Sequence, residues 1–265
     1  MTVDPIHLGT DPMSAGAIRP RLLSILIPAF QEARTVGVLL DRILAVDVES
    51  IGFAKEIIVC DDGSTDGTAD LVERASRSDR RITLVRHPRN RGKGAAIRTA
   101  LERANGEYCV VQDADLEYDV ADYLAMLGAV RSGATVVYGS RFLLRRWPEG
   151  MRPTNWAGNR MLTLTANWLY GLGITDEATG PKMFRTDLLR SLGLESTGFE
   201  FCAEVTAKLG RRRISIVETP ARYTARSRSS GKKLRLRDGW KALFTLVRVG
   251  LRDGAPHGSP DERPG

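Results

Sequence analysis

From residue 22 onward the chain alternates between two patterns. Short apolar runs, closed by Pro, Gly or acidic residues, fall at LLSILIP (22–28), KEIIVCDD (55–62), RITLVRH (81–87), EYCVVQD (107–113) and ATVVYGS (134–140). Runs of this length read as buried strands. Between them, TVGVLLDRILAV (35–46), TADLVERAS (68–76), KGAAIRTALERA (93–104) and residues 120–131 place apolar side chains at helical spacing. Strands alternating with helices across short joins predict an α/β fold, a mostly parallel central sheet with helices on both faces. Right-handed crossovers then gather the loops at the carboxyl ends of the strands along one edge. Residues 28–32, 61–66 and the acids after residue 112 are expected to converge there.

Past residue 150 the pattern loosens. Residues 159–172 and 199–210 read as amphipathic helices, 213–223 as a strand and 239–251 as a last helix. On that helix Trp240, Leu243, Phe244, Val247 and Leu251 share one stripe, flanked by Lys241, Arg248 and Arg252. The stripe suits either an interfacial helix on an anionic membrane or docking against the protein's own core. Residues 1–20 and 253–265 are rich in Gly, Pro and polar residues and read as disordered tails. That leaves residues 21–252 as one domain, ending in an amphipathic helix at about 238–252.

Composition adds a location and a partner. The 265 residues carry 39 basic against 32 acidic side chains, a formal charge of +7. From Lys208 to Lys241 only Glu218 and Asp238 oppose a run of Lys and Arg, so the excess sits in the C-terminal third and suggests an anionic partner. A nucleic acid would meet that charge, but no aromatic stacking platform or recognition motif accompanies it. The N-terminus lacks the apolar segment of a secretory signal, and no run approaches the ~18 apolar residues of a spanning helix. Cys60, Cys109 and Cys202 are scattered without a C-x-x-C and read as reduced thiols. The expected location is cytoplasmic, with room for peripheral contact at the inner face of the cytoplasmic membrane.

The chemistry concentrates in VVQDADLEYD (110–119), where Asp113, Asp115 and Glu117 stand two residues apart. In extended chain they would share a side and repel one another. A divalent cation would resolve the repulsion, because Mg²⁺ commonly takes one or two carboxylates plus phosphate oxygens of a substrate; a solvated acidic loop is the simpler alternative. CDDGSTDGT (60–68) puts Asp61 and Asp62 at a strand tip, suited to a base ring or a ribose hydroxyl. PAFQE (28–32) adds Glu32, and RNRGKG (89–94) adds cations on flexible backbone, at a spacing that matches neither a Walker loop nor a dinucleotide fingerprint.

Taken in order, ILIPAFQEARTV, IIVCDDGSTDGT, NRGKGAAIRTAL, VQDADLEYD and VVYGSRF resemble the family 2 inverting glycosyltransferases, and within them the dolichyl- and polyprenyl-phosphate mannose (or glucose) synthases. The resemblance covers roughly residues 22 to 240 and implies the GT-A fold, the Rossmann-like fold of nucleotide-diphospho-sugar transferases. It implies nucleotide-sugar contacts from Pro28, Phe30, Glu32, Cys60, Asp62, Asp113, Ala114, Asp115 and Arg141. It places Asp113, Asp115 and Glu117 at an Mg²⁺ or Mn²⁺ ion, and makes Asp115 and Arg141 the catalytic pair. Arg226 and Lys232 match a basic pair that engages acceptor or diphosphate. Two positions depart from the family pattern: Phe30 replaces a common Tyr, removing a hydroxyl, and Glu117 replaces a common Gln, adding a charge.

The implied reaction moves mannose or glucose from GDP-mannose or UDP-glucose to a polyprenyl phosphate. A phosphate monoester, with a second pKa of ~6, is largely a dianion near neutral pH and calls for cations rather than a base. A hydroxyl acceptor on a soluble metabolite or glycan would need a base. His7, His87 and His257 are poor candidates for that role, whereas Glu200 and Glu204 stay open.

Overall fold

The computed structural model describes residues 20–225 and 236–251. Apart from Pro20, the two tails read as disordered lie outside the described residues, as do Arg226 and Lys232. Seven strands, β1 (Arg21–Ala29), β2 (Phe53–Asp61), β3 (Ile82–Arg86), β4 (Tyr108–Val111), β5 (Val136–Ser140), β6 (Lys182–Arg185) and β7 (Val217–Pro220), form one sheet in the order β3-β2-β1-β4-β6-β5-β7. All pairings are parallel except those of β6, which runs antiparallel to both β4 and β5. The five strands expected before residue 150 are all present. The sheet is mixed because of β6, which the apolar pattern does not announce. Its four residues begin with Lys182, whose buried ammonium donates to the carbonyls of Glu177 and Thr179 and lies 4.4 Å from the Tyr138 ring centre.

The helices are α1 (Val36–Ala45), α2 (Thr68–Ser78), α3 (Lys93–Arg103), α4 (Tyr123–Arg131), α5 (Pro153–Tyr170), α6 (Thr186–Ser191), α7 (Phe201–Arg211) and α8 (Leu236–Leu251). Period-two alternation along β1 serves both faces of the sheet. Leu23, Ile25 and Ile27 pack with α1, α2 and α4, while Leu26 packs with α3 and α7. A third apolar cluster joins α5, α7 and α8 through Leu162, Ala166, Ala203, Ala207, Leu246 and Val249. Helix α5 begins six residues earlier than its apolar spacing suggests. Pro153 opens it, its fixed φ suiting the first turn, and Gly171 closes it in the left-handed conformation at φ 65. The strand expected over 213–223 is confined to β7, since Arg213 takes a left-handed φ of 52 in a turn and residues 214–216 stay outside the ladder.

What positions the site is the strand order. β1 lies between β2 and β4, so the chain winds outward to β3 on one side and resumes with β4 on the other. In open α/β sheets, ligands bind in the crevice beyond the carboxyl ends of the strands at such a reversal.

Candidate active site

Five loops meet at that crevice, each tied to the next. The loop after β1 clasps the loop after β2: the Gln31 amide donates to Ser64 Oγ at 2.9 Å, the Glu32 amide to Thr68 Oγ1 at 2.8 Å and the Ala33 amide to Asp66 at 3.0 Å. Gln31 takes a left-handed φ of 55 to do so, an uncommon setting for a non-glycine residue. The loop after β2 holds the loop after β3 through Asp62. Its buried carboxylate accepts from the Arg91 amide at 2.8 Å and the Gly92 amide at 2.7 Å, and lies 2.7 Å from His87 Nδ1. On the other side of the ring, Nε2 lies 2.9 Å from the Thr99 hydroxyl. Gly92 has φ +97, and an added Cβ would collide with the Thr197 carbonyl, so only glycine fits where this loop passes beneath residues 196–198.

The loop after β3 then reaches the acids after β4. Lys93 Nζ lies 2.5 Å from Asp113 Oδ1. Burial works to lower the lysine's pKa, but the Asp113 charge, with a smaller share from Asp115, more than reverses this, so the ammonium is held charged. Phe199 packs its ring centre 5.6 Å from the same nitrogen. The three acids are therefore handled one at a time. Asp113 pairs with Lys93, and Asp115 Oδ1 accepts from the Glu117 amide at 3.2 Å. The Glu117 side chain turns to the Tyr223 hydroxyl, whose pKa rises through burial and then through this carboxylate.

The backbone explains the separation. β4 stops at Val111, and residues 114–116 form a turn with Leu116 left-handed at φ 61, so the acids do not continue a strand. Ala114 and Tyr118 are buried, with Tyr118 Oη accepting from the Gly180 amide at 3.0 Å. Among the described residues no group of three or more Asp, Glu, His or Cys is placed to hold a metal ion. A three-carboxylate site with Glu117 is thus not assembled. Asp113 and Asp115, whose charges both act on Lys93, offer hard oxygen ligands of the kind Mg²⁺ or Mn²⁺ takes when phosphate oxygens complete the shell.

Arg141 also departs from expectation. Its Nε donates to Asp176 Oδ2 at 2.7 Å, and Nη2 donates to Asp176 Oδ1 at 2.8 Å and the Ala178 carbonyl at 3.1 Å. Burial opposes the guanidinium charge, and the Asp176 carboxylate outweighs it; reciprocally, burial would raise the Asp176 pKa, and Arg141 brings it down. The guanidinium lies 5.3 Å from the Tyr223 ring centre and 6.0 Å from that of Tyr118. In this structure the arginine is a buried strut behind the acidic turn, paired with Asp176. Arg222, bound to Asp122 Oδ1 at 2.8 Å, and the Thr224 amide, bound to the Glu117 carbonyl at 2.9 Å, fasten residues 222–225 alongside the same turn.

The remaining expected residues sit on the β1–β2 side. Pro28 is opposite Cys60 in the parallel register, and Phe30 follows β1 at the bend. Glu32 is buried, with Oε2 accepting from Thr35 at 2.8 Å. The Cys60 thiol lies 3.6 Å from His87 Nε2, and burial pushes its pKa up to about 12. Three residues matter more than sequence reasoning allowed: Lys93, His87 and Asp176. Lys93 stood in the glycine-rich basic loop, but its carboxylate partner was not readable; Asp176 lies in a segment with no motif. Asp61, singled out in the sequence with Asp62, has a buried Oδ1 without a hydrogen-bond partner, leaving a free acceptor beside the crevice.

This sheet, with its acidic pair at the β1/β4 reversal, is the GT-A fold of nucleotide-sugar transferases. The Glycosyl transferase family 2 model matches residues 24–193, and the chain belongs to that family. It is 31% identical over 228 residues to the low-salt glycan biosynthesis hexosyltransferase Agl6 of Haloferax volcanii, covering 85% of this chain but only 53% of that relative's length. It is also 31% identical to the undecaprenyl-phosphate mannosyltransferase of Micrococcus luteus, covering 80% of this chain and 87% of the relative. Among solved structures, the mannosyltransferase PcManGT from Pyrobaculum calidifontis, in complex with GDP-Man and Mn²⁺, superposes with a TM-score of 0.57 at 23% identity, over 94% of this chain and 74% of that one. The chain is a glycosyltransferase and groups with polyprenyl-phosphate hexosyltransferases.

Proposed function

We propose that this glycosyltransferase moves a hexose, mannose or glucose, from GDP-mannose or UDP-glucose to a polyprenyl phosphate, with inversion and with help from a divalent cation. The observation that carries the reading is the meeting of Lys93 with Asp113 and Asp115 at the crevice where the nucleotide-side loops converge. A divalent ion held by Asp113 and Asp115 would offset the charge that develops on the departing diphosphate. Lys93 contributes a fixed positive charge at the same place, where a low local dielectric strengthens it. Asp61 offers its unpaired oxygen to a ribose hydroxyl or base N–H. Asp62 and His87 act one step back, by fixing the loop that carries Lys93. The Mn²⁺ complex of the Pyrobaculum enzyme supports the metal, and the Micrococcus relative's name supports the acceptor.

The acceptor reading draws further support from His87, Glu204 and Glu200, each of which is already engaged within the protein. His87 is enclosed by Asp62, Thr99 and Cys60. Glu204 is buried, accepts from the Ser196 amide at 2.8 Å and pairs with Lys208 at 2.6 Å. Glu200 accepts from the Gly198 amide at 3.0 Å. A phosphate dianion needs no proton removed. Arg226 and Lys232, which follow the fastened 222–225 segment in sequence, are proposed to meet the phosphates. The test incubates the full chain with Mg²⁺ or Mn²⁺, labelled GDP-mannose or UDP-glucose, and a polyprenyl phosphate. A labelled, organic-extractable product in one of these reactions is expected. Transfer only to a soluble alcohol would move the activity to a hydroxyl acceptor.

A further inference from the structure

The acidic turn already has a cation of its own. Lys93 Nζ lies 2.5 Å from Asp113 Oδ1, and only 16% of the lysine side chain and 21% of the aspartate side chain are exposed. The contact is braced from both sides. Gly92 and Gly94 flank the lysine, and a Cβ on either would collide with the carbonyl oxygens of Thr197 and Ser196. The Ala95 amide donates to the Thr197 carbonyl at 3.2 Å, while Asp62 holds the Arg91 and Gly92 amides at 2.8 and 2.7 Å. The Phe199 ring centre stands 5.6 Å from the ammonium. The backbone that carries Lys93 therefore has little room to withdraw. Opposite it, a Cβ on Gly180 would stand 3.0 Å from Asp113 Oδ2 and 2.7 Å from the Tyr118 ring, so the bare glycine is what lets the turn settle there. Each oxygen of Asp113 thus has a fixed neighbour, the ammonium at Oδ1 and the Gly180 backbone beside Oδ2.

Charge decides what such a turn can accept. The Glu117 side chain is turned to Tyr223, and Arg141 behind the turn is paired with Asp176. What remains is two carboxylates, Asp113 and Asp115, acting on one ammonium, a net negative charge of one. A divalent ion entering beside Lys93 would reverse that sign, and like charges this close in a half-buried pocket oppose each other strongly. The diphosphate of a nucleotide carries about two to three negative charges near neutral pH. That is enough to hold the ammonium and a divalent ion together, and it gives the ammonium a second anion to turn to.

We propose that Lys93 is a built-in counter-cation that keeps the Asp113–Asp115 pair from taking a divalent ion alone, so that the ion binds tightly only together with a nucleoside diphosphate. The inference rests on the cation and donor of the function proposed above, and adds that one side chain couples the two. Such coupling is reciprocal: the diphosphate strengthens ion binding by the factor by which the ion strengthens diphosphate binding. The full chain is titrated with Mn²⁺, alone and then with GDP or UDP, and the unbound ion is read from its electron paramagnetic resonance signal. Wild type is expected to bind Mn²⁺ weakly alone and roughly 50-fold more tightly with the nucleotide that fits. Lys93→Gln removes the charge and keeps a polar side chain. Its affinity for Mn²⁺ alone should rise about 10-fold, and its gain from nucleotide should shrink by a similar factor. Lys93→Arg keeps the charge and should stay near wild type, whereas Asp115→Ala should lose tight binding under both conditions.

Wild type that binds Mn²⁺ as tightly without nucleotide as with it would overturn the proposal before any variant is made. Equal affinity of wild type and Lys93→Gln for Mn²⁺ alone would overturn it too, and weaker binding by Lys93→Gln would make the lysine a support for the turn instead. In these three outcomes the cation site of the proposed function stands and only the role of Lys93 falls. No Mn²⁺ binding by wild type or Lys93→Gln, even with GDP or UDP, would remove the divalent ion from the proposed function and this proposal with it.

Discussion

Asp62 and Asp115 follow strands on either side of β1 but differ in role. Asp62 is buried and accepts two backbone amides besides facing His87, so its charge organises protein rather than substrate. Asp62→Asn keeps the size but exchanges one acceptor oxygen for a donor. A loss of about 1–3 kcal/mol is expected in urea unfolding, with a raised donor KM because the Lys93 loop loosens. Asp115 is only half-buried, and its Oδ1 caps its own turn. For Asp115→Ala, turnover of nucleotide sugar is expected to drop at least ~100-fold, while the unfolding midpoint hardly moves. A variant with wild-type turnover would remove Asp115 from the reaction. At this scale the sequence names residue types well and partners poorly. The D-x-D spacing marks the two ligands, but Arg141 reads as a donor-site cation until its buried partner, Asp176, is seen. The two meet only through tertiary folding, and no local spacing encodes that.

Among the elements, α8 offers the clearest contrast, since it is apolar on two sides. Leu246 is fully buried in the cluster with α5 and α7, whereas Val247 beside it faces outward. Leu246→Ala is expected to cost about 2–5 kcal/mol in chemical unfolding, and Val247→Ser no more than ~0.5 kcal/mol. Comparable losses would mean that the outward line is buried in solution. The sequence pattern showed the outer stripe but left its direction open, because membrane and core select the same residues. Of the stripe read from sequence, only Leu243 turns partly to the core. Strand β6 was illegible for a different reason. A run as short as Lys-Met-Phe-Arg carries no usable period, and Lys182 is tolerated in mid-sheet only because carbonyls from residues 177 and 179 receive it.

On the scale of the whole molecule, the strand order decides where chemistry can occur, and buried thiols show how closed the sheet is. Burial holds Cys60 and Cys109 up to about 12, against 9.0 for an ordinary thiol. The folded state therefore keeps these protons after the unfolded chain has released its own. Their contribution to stability is whole below pH 9.0 and is lost as the pH climbs toward about 12. Unfolding midpoints followed across that window should fall with pH, and Cys60→Ala combined with Cys109→Ala should flatten the fall. The parallel half of the sheet was legible because each strand is a continuous apolar run. The C-terminal third was legible mainly as charge.

The central claim is that the carboxylates after β4 and the lysine that opens α3 face one ligand, a nucleotide diphosphate with its cation. Crystals of the full chain soaked with Mn²⁺ and donor test this by anomalous scattering. The account predicts a manganese peak touching Asp113 and Asp115, with the diphosphate within reach of Lys93 and the nucleoside lying toward Asp61. A nucleotide seated away from the β1/β4 crevice, or manganese bound elsewhere with Lys93 still closed on Asp113, would contradict it.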